Sequence, residues 1–117
     1  MPTILVIDDS ATIREYLATV LEYDGHRVLE ACDGAEGLAK THSERPELVI
    51  ADLLMPIIDG FEFVRQLRAD PVVAHTHVIF HTAAYDEHEV RTLARDCGVT
   101  TILPKPSEPQ MVLKTIG

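Results

Sequence analysis

Ile4-Leu5-Val6-Ile7-Asp8-Asp9 joins a short apolar run to a pair of aspartates, and Leu48-Val49-Ile50-Ala51-Asp52 repeats this pattern. Short runs rich in Val and Ile are typical of strands buried on both faces, as in a parallel sheet. Ligand sites of open α/β sheets lie outside the carboxyl ends of the strands. We therefore expect these aspartates at one functional edge of one sheet.

Strand and helix patterns alternate along the whole chain. Further strands are expected at 28–32, 77–82 and 101–103, and each strand is followed by a helical pattern. The apolar positions expected to face the core are Ile13, Leu17, Val20, Leu21, Ala35, Leu38, Ala39, Phe61, Val64, Leu67, Val90, Leu93, Ala94, Cys97, Met111, Val112 and Ile116. This alternation predicts βαβ units with right-handed crossovers and a parallel sheet covered on both faces.

Composition narrows the class of protein. The 117 residues fit one domain, and the net charge of −9 disfavours binding to nucleic acid or to an anionic membrane. No apolar stretch approaches the ~20 residues of a membrane span, and no basic leader is present, so a cytoplasmic protein is expected. Cys32 and Cys97 lie in apolar segments and are expected to be buried, reduced thiols.

Three histidines alternate near the fourth expected strand. His75, His77 and His81 would share one face if all three were in the strand. His75 precedes the apolar run, however, and no cysteine accompanies them, so a solvated or hydrogen-bonded face is favoured over a transition-metal site.

The acidic residues indicate a cation site. Asp8 and Asp9 alone could be an acidic pair favoured by the dipole of the following helix. Asp52 changes this interpretation, because a third carboxylate at the same edge would raise its neighbours' pKa values unless a cation neutralised them. Ligation by oxygen alone favours Mg²⁺.

Two further residues end strands at this edge. Lys105 lies between Pro104 and Pro106, which is more constraint than a solvated lysine needs. Thr82 ends the fourth strand, where its hydroxyl could donate to a phosphoryl oxygen. With Asp52 as the nucleophile, the set suits phosphoryl transfer to a carboxylate, a reaction that depends on positioning and electrostatics.

The chain resembles the receiver domain of two-component response regulators over its whole length, residues 1–117. The matching motifs are Ile4-Leu5-Val6-Ile7-Asp8-Asp9-Ser10, Asp52-Leu53-Leu54-Met55-Pro56-Ile57-Ile58-Asp59-Gly60, Thr82-Ala83 and Lys105-Pro106. The resemblance implies a flavodoxin-like (CheY-like) doubly wound sheet of five parallel strands in the order 2-1-3-4-5, with five helices.

The resemblance also implies residue roles. Asp52 would take a phosphoryl group from a phosphohistidine of a sensor histidine kinase or a histidine phosphotransfer domain. Asp9, Asp52 and the Leu54 carbonyl would bind Mg²⁺ directly, and Asp8 mainly through water. Thr82 and Lys105 would contact the phosphoryl group, and a cis Lys105-Pro106 bond would fix the lysine.

Four positions depart from the family pattern. Ile102 replaces an aromatic residue that often rotates on activation, so output is expected through the helix after Thr82 and the turn 98–101. Leu54 and Ala84 occupy positions that often tune dephosphorylation, and neither side chain can hydrogen-bond a hydrolytic water. Ser107 replaces a common phenylalanine.

Three other interpretations were weighed. A docking module without phosphorylation would not need all five polar residues. A Mg²⁺-dependent phosphohydrolase usually carries a second aspartate where this chain has Leu54. A flavin or nucleotide site would need a glycine-rich loop in place of Asp8-Asp9-Ser10.

The expected partners are the kinase and a downstream output domain or protein. No enzymatic activity beyond self-catalysed phosphotransfer and slow dephosphorylation is expected. An excised receiver is favoured over a stand-alone protein, because the last helix is short. A homodimer through a face around Val90, Ala94, Val99 and Ile102 is one open alternative.

Overall fold

The computed structural model describes residues 2–83 and 87–117. Strands and helices alternate in the order β1 Thr3–Ile7, α1 Ala11–Tyr23, β2 Arg27–Ala31, α2 Gly34–Glu44, β3 Leu48–Ala51, α3 Gly60–Ala69, β4 His77–Thr82, α4 Glu87–Asp96, β5 Thr101–Pro104 and α5 Pro109–Ile116. All pairings are parallel and the strand order is β2-β1-β3-β4-β5. The predicted fold class and strand order are confirmed.

Local sequence explains where the helices begin. Ser10, Asp33 and Asp59 precede α1, α2 and α3, and the side chain of each accepts a hydrogen bond from a backbone amide in the first turn. Such caps satisfy amides that have no partner within the helix. Ser10 closely follows the carboxyl end of β1, and Asp33 closely follows that of β2. The chain therefore turns into a helix just beyond the edge of the sheet at both places.

Alternation along the strands divides the core into two layers. On the side of α2, α3 and α4, strand residues pack around the fully buried Phe63 and Phe80. On the side of α1 and α5, the strands contribute a second set, which includes Ile50, Ile79 and Leu103. Because neighbouring strand residues face opposite layers, both layers are apolar along the middle of the sheet.

Helix α2 packs differently from the prediction. Ala35 and Ala39 are exposed, and the buried positions are Gly34, Gly37 and Thr41. A Cβ at Gly37 would lie 2.4 Å from Cδ1 of Ile7, so the helix approaches β1 too closely for a side chain there. The two alanine positions were therefore wrong, whereas Leu38 packs against the core as predicted, beside the close contact at Gly37.

Other burial predictions also need correction. Cys32 is exposed and Cys97 is only partly buried, although both thiols are free. Leu93 and Met111 are exposed, and Phe63, which was not predicted, is buried instead. Cys32 lies between β2 and α2 and Cys97 directly follows α4, whereas Leu93, Met111 and Phe63 belong to helices whose buried row the sequence pattern did not locate correctly.

The apolar face proposed for dimerisation is also different. Ala94 and Val99 are each 1% exposed and belong to the core layer with Phe80. Val90 and Ile102 are partly buried against the same layer. Ala94 and Val99 therefore belong to the core, whereas Val90 and Ile102 keep some exposed surface, and the homodimer stays a prediction.

One side chain ties three segments together on the α3 side. Arg68 donates hydrogen bonds to the carbonyls of Cys97, Ala74 and Thr76, at 3.3, 3.0 and 2.6 Å. Gly98 has a φ of 80°, and a Cβ there would lie 3.7 Å from Nε of Arg68. The end of α4 is thereby joined to α3 and to the entry of β4.

Within the part of the chain that the structure describes, no helix is long and apolar enough to span a membrane.

Candidate functional site

The carboxyl ends of β1 and β3 bring three carboxylates together. Asp8, Asp9 and Asp52 each offer an oxygen within 4.8 Å of the others, and no other group of three potential metal ligands occurs among residues 2–83 and 87–117. Asp8 and Asp52 are 1% and 6% exposed, whereas Asp9 is exposed. Two buried carboxylates and an accessible third form a site that is open on one side.

Lys105 lies between the two buried carboxylates. Its ammonium donates to Oδ2 of Asp8 at 2.7 Å and lies 3.1 Å from Oδ2 of Asp52. The lysine side chain is only 14% exposed, so solvent screens these contacts less than it would on an open surface. A positive charge therefore offsets part of the repulsion within the cluster.

Backbone contacts fix the surrounding loops. The amide of Ser10 donates to Oδ1 of Asp8 at 2.9 Å, and the amide of Leu54 approaches Oδ1 of Asp52 at 3.4 Å. The Leu54 side chain is 70% exposed and is not part of the core. The one hydrogen bond between Leu54 and Asp52 therefore comes from the Leu54 backbone.

Thr82 and Lys105 lie on neighbouring strands. Thr82 is buried and ends β4, where it pairs in register with Pro104. The amide of Lys105 donates to the carbonyl of Thr82 at 3.0 Å, and the Lys105-Pro106 peptide bond is cis. The structure therefore brings all five predicted polar residues to the same edge of the sheet. Ala84 lies outside the described residues.

The electrostatics of Asp52 reflect this crowding. Burial raises its pKa above the usual range, Lys105 opposes that rise, and Asp8 adds to it. A cation bound to the carboxylates would oppose the rise in the pKa of Asp52 that Asp8 causes. Hard oxygen donors, two of them already buried and fixed, fit a small divalent cation such as Mg²⁺.

The sequence interpretation missed Arg14 in this region and did not anticipate the buried environment of His81. Arg14 donates to the carbonyl of Asp8 at 2.6 Å, and its position one turn after the Ser10 cap could have indicated that it points back to this loop. His81 is 4% exposed, and its buried Nδ1 has no hydrogen-bond partner among residues 2–83 and 87–117. Burial, and secondarily the Lys105 charge, lower the pKa of His81 from 6.5 to about 4, against an opposing effect of Asp8.

The other histidines do not share this environment. His77 is exposed at the start of β4, and His75 precedes the strand. The three histidines considered from the sequence therefore do not form a common face. Of the three, His81 is the buried one.

Comparison with known proteins agrees with this geometry. The family model described as the response regulator receiver domain matches residues 4–117. This chain belongs to the response regulator receiver domain family. Receiver domains function in two-component signalling, generally bind Mg²⁺, and interact with histidine kinases and output partners.

Similar proteins differ in how much of their length the receiver occupies. Protein PilH of Pseudomonas aeruginosa is 36% identical over 117 residues, covering all of this chain and 96% of PilH. The alkaline phosphatase synthesis transcriptional regulatory protein PhoP of Bacillus subtilis is 35% identical, but this chain covers only 44% of it. Chemotaxis protein CheY4 of Vibrio cholerae has a solved structure that superposes with a TM-score of 0.93 at 34% identity, over 99% of this chain and 96% of that one.

Proposed function

We propose that Asp52 accepts a phosphoryl group from a phosphohistidine of a sensor histidine kinase or a histidine phosphotransfer domain, in a Mg²⁺-dependent reaction. The observation that supports this most strongly is the position of Lys105, 2.7 Å from Asp8 and 3.1 Å from Asp52. A partly buried lysine beside a group of carboxylates suits the binding of an anion that arrives together with a cation.

The reaction needs few groups. An oxygen of Asp52 attacks phosphorus, the phosphorus–nitrogen bond to the donor imidazole breaks, and its electron pair stays with that imidazole. Lys105 would pair with the charge on the transferring group, and the Thr82 hydroxyl would donate to one of its oxygens. Asp8, Asp9, Asp52 and the Leu54 carbonyl would hold Mg²⁺, which supplies charge neutralisation when bound.

The protein would modify only itself. In this proposal Asp52 gains and slowly loses one phosphoryl group, and no separate substrate is turned over. The phosphorylated state would then control an output partner through α4 and β5.

Ile102 shapes the expected output. It is partly buried against the core layer beneath α4 and has no ring to rotate. We therefore expect beryllofluoride with Mg²⁺ to shift amide resonances of α4 and of the turn 98–101. Perturbations confined to the loops around Asp52, measured by NMR, would contradict this route.

The central experiment is direct. The protein is incubated with acetyl phosphate and Mg²⁺, and intact mass is followed for a gain of one phosphate that is stable to acid and labile to base. Wild type should gain it, Asp52→Ala should not, and Asp96→Asn, which alters an exposed acid at the end of α4, should behave as wild type.

The outcome separates the alternatives considered from the sequence. A docking module would gain no phosphate under any condition. A phosphohydrolase would consume acetyl phosphate continuously without accumulating the modified protein. Chelation of Mg²⁺ with EDTA should abolish the gain by wild type.

A further inference from the structure

Helix α1 contacts both loops that carry the Lys105–Asp8 ion pair. Arg14 donates to the carbonyl of Asp8 at 2.6 Å, and the hydroxyl of Tyr16 donates to the carbonyl of Ser107 at 2.7 Å. Ser107 lies two residues after Lys105 in the chain. One helix, α1, is thus hydrogen-bonded both to the loop that carries Asp8 and to the loop that carries Lys105.

The Lys105 loop has few other attachments. The amide of Lys105 donates to the Thr82 carbonyl, and the hydroxyl of Ser107 donates to the carbonyl of Pro104, the last residue of β5. Pro104 and Pro106 have no amide hydrogen to donate. Among the hydrogen bonds of the described residues, the one from Tyr16 ties the part of the loop beyond Lys105 to the α1 side of the sheet.

The two contacts of α1 differ in their surroundings. The Arg14 side chain is 18% exposed and also lies 3.3 Å from Glu30, so it has a second partner. Tyr16 is 38% exposed, and within the part of the chain that the structure describes its hydroxyl makes one hydrogen bond, to the carbonyl of Ser107. An exposed neutral hydrogen bond adds little to global stability, but a displaced charged group can change a reaction rate strongly.

We propose that Tyr16 is a positioning residue that acts on phosphoryl transfer through the Ser107 carbonyl by holding Lys105 at the Asp52 site. This inference rests on the proposed function of Asp52. Tyr16 itself would not touch the phosphoryl group. Its effect therefore requires the Lys105 ammonium, and that requirement can be measured.

A double-mutant cycle tests the dependence. Phosphorylation of Asp52 by acetyl phosphate with Mg²⁺ is followed by intact mass for wild type, Tyr16→Phe, Lys105→Ala and the double variant. Tyr16→Phe should slow the wild-type reaction roughly fivefold, as expected for loss of one hydrogen bond. In the Lys105→Ala background the same change should alter the rate less than twofold. Equal slowing in both backgrounds, or no slowing in either, would overturn the proposal.

A second measurement does not depend on phosphorylation. In metal-free protein, the Cε resonances of Lys105 should move toward those of a solvent-exposed lysine in Tyr16→Phe. Tyr23→Phe is the matched control, because Tyr23 lies at the end of the same helix and is 92% exposed. Unchanged Lys105 resonances in Tyr16→Phe would refute the role of Tyr16. A wild type that gains no phosphate would refute the proposed function alone, since the resonances still decide the role of Tyr16.

Discussion

The middle of the sheet and its carboxyl edge are made by the same strands, yet their chemistry is opposite. Ile7 and Ala51 end β1 and β3 as fully buried apolar residues, and the next residues, Asp8 and Asp52, are buried carboxylates. Burial of an apolar side chain stabilises the fold, whereas burial of a charge costs free energy unless it is paired. A residue that stabilises the fold is therefore followed directly, in both strands, by a residue with a proposed role in the chemistry of the protein.

The largest expected effect concerns the middle of the sheet. Phe63→Ala should lower the free energy of unfolding by about 3–5 kcal/mol, because Phe63 is fully buried in the core layer. Urea denaturation checks this, and Tyr23→Ala, at a residue that is 92% exposed, should change stability by less than about 0.5 kcal/mol. A loss below about 1 kcal/mol would contradict the assignment of Phe63 to the core.

His81 tests the boundary between the two regions. Its pKa of about 4 in the folded protein lies below the value of 6.5 expected when unfolded, so the unfolded chain binds the proton first as pH falls. The free energy of unfolding should therefore decrease by up to about 3 kcal/mol between pH 6.5 and pH 4 from this residue. His81→Leu should lack this component.

The measurement for His81 compares urea denaturation of wild type and His81→Leu across that pH range. Carboxylates titrate in both proteins, so the difference between the two curves isolates the histidine. Parallel curves would show that His81 is protonated equally easily in both states.

Asp52 tests the edge itself. Its raised pKa means that the charged form is less favourable in the folded protein, so this residue lowers stability at neutral pH. Asp52→Asn should raise the free energy of unfolding without Mg²⁺ by on the order of 1 kcal/mol, the usual size of a single-site effect. Thermal unfolding with EDTA checks this, with Asp96→Asn as the control; a less stable Asp52→Asn would argue that Lys105 more than compensates the charge.

The smallest effect is expected at Leu54. Its side chain is 70% exposed, so Leu54→Ala should change the rate of Asp52 dephosphorylation by less than about twofold. The rate is measured by loss of phosphate mass after removal of acetyl phosphate. Slowing by about tenfold, or roughly 1.4 kcal/mol, would show that the side chain assists hydrolysis.

The sequence predicted the sheet and the position of its polar edge because both follow from short-range patterns. Apolar runs at 4–7 and 48–51 specify buried strands, and the residue after each run must lie at the edge. This reasoning located Asp8 and Asp52, as well as Lys105, without any long-range information. What each does in signalling still depends on the experiments proposed above.

Contacts between distant segments were not predictable in this way. The contact of Tyr16 with Ser107 joins residues 91 positions apart, and no local pattern records it. The buried face of α2 depends on how closely Gly37 approaches Ile7. For His81 the sequence favoured a solvated or hydrogen-bonded face, but both faces of β4 are covered near its carboxyl end, so the histidine is buried.

The carbonyl contacts of Arg68 have a mechanical consequence for α4. Because that guanidinium holds the carbonyl of Cys97, which directly follows α4, we expect a displaced α4 to rotate about this end. The displacement of α4 would then be greatest at the end of the helix closer to Thr82 and smallest near Gly98. Replacing Arg68 would remove this attachment, so the whole of α4 would be free to translate instead of rotating about one end.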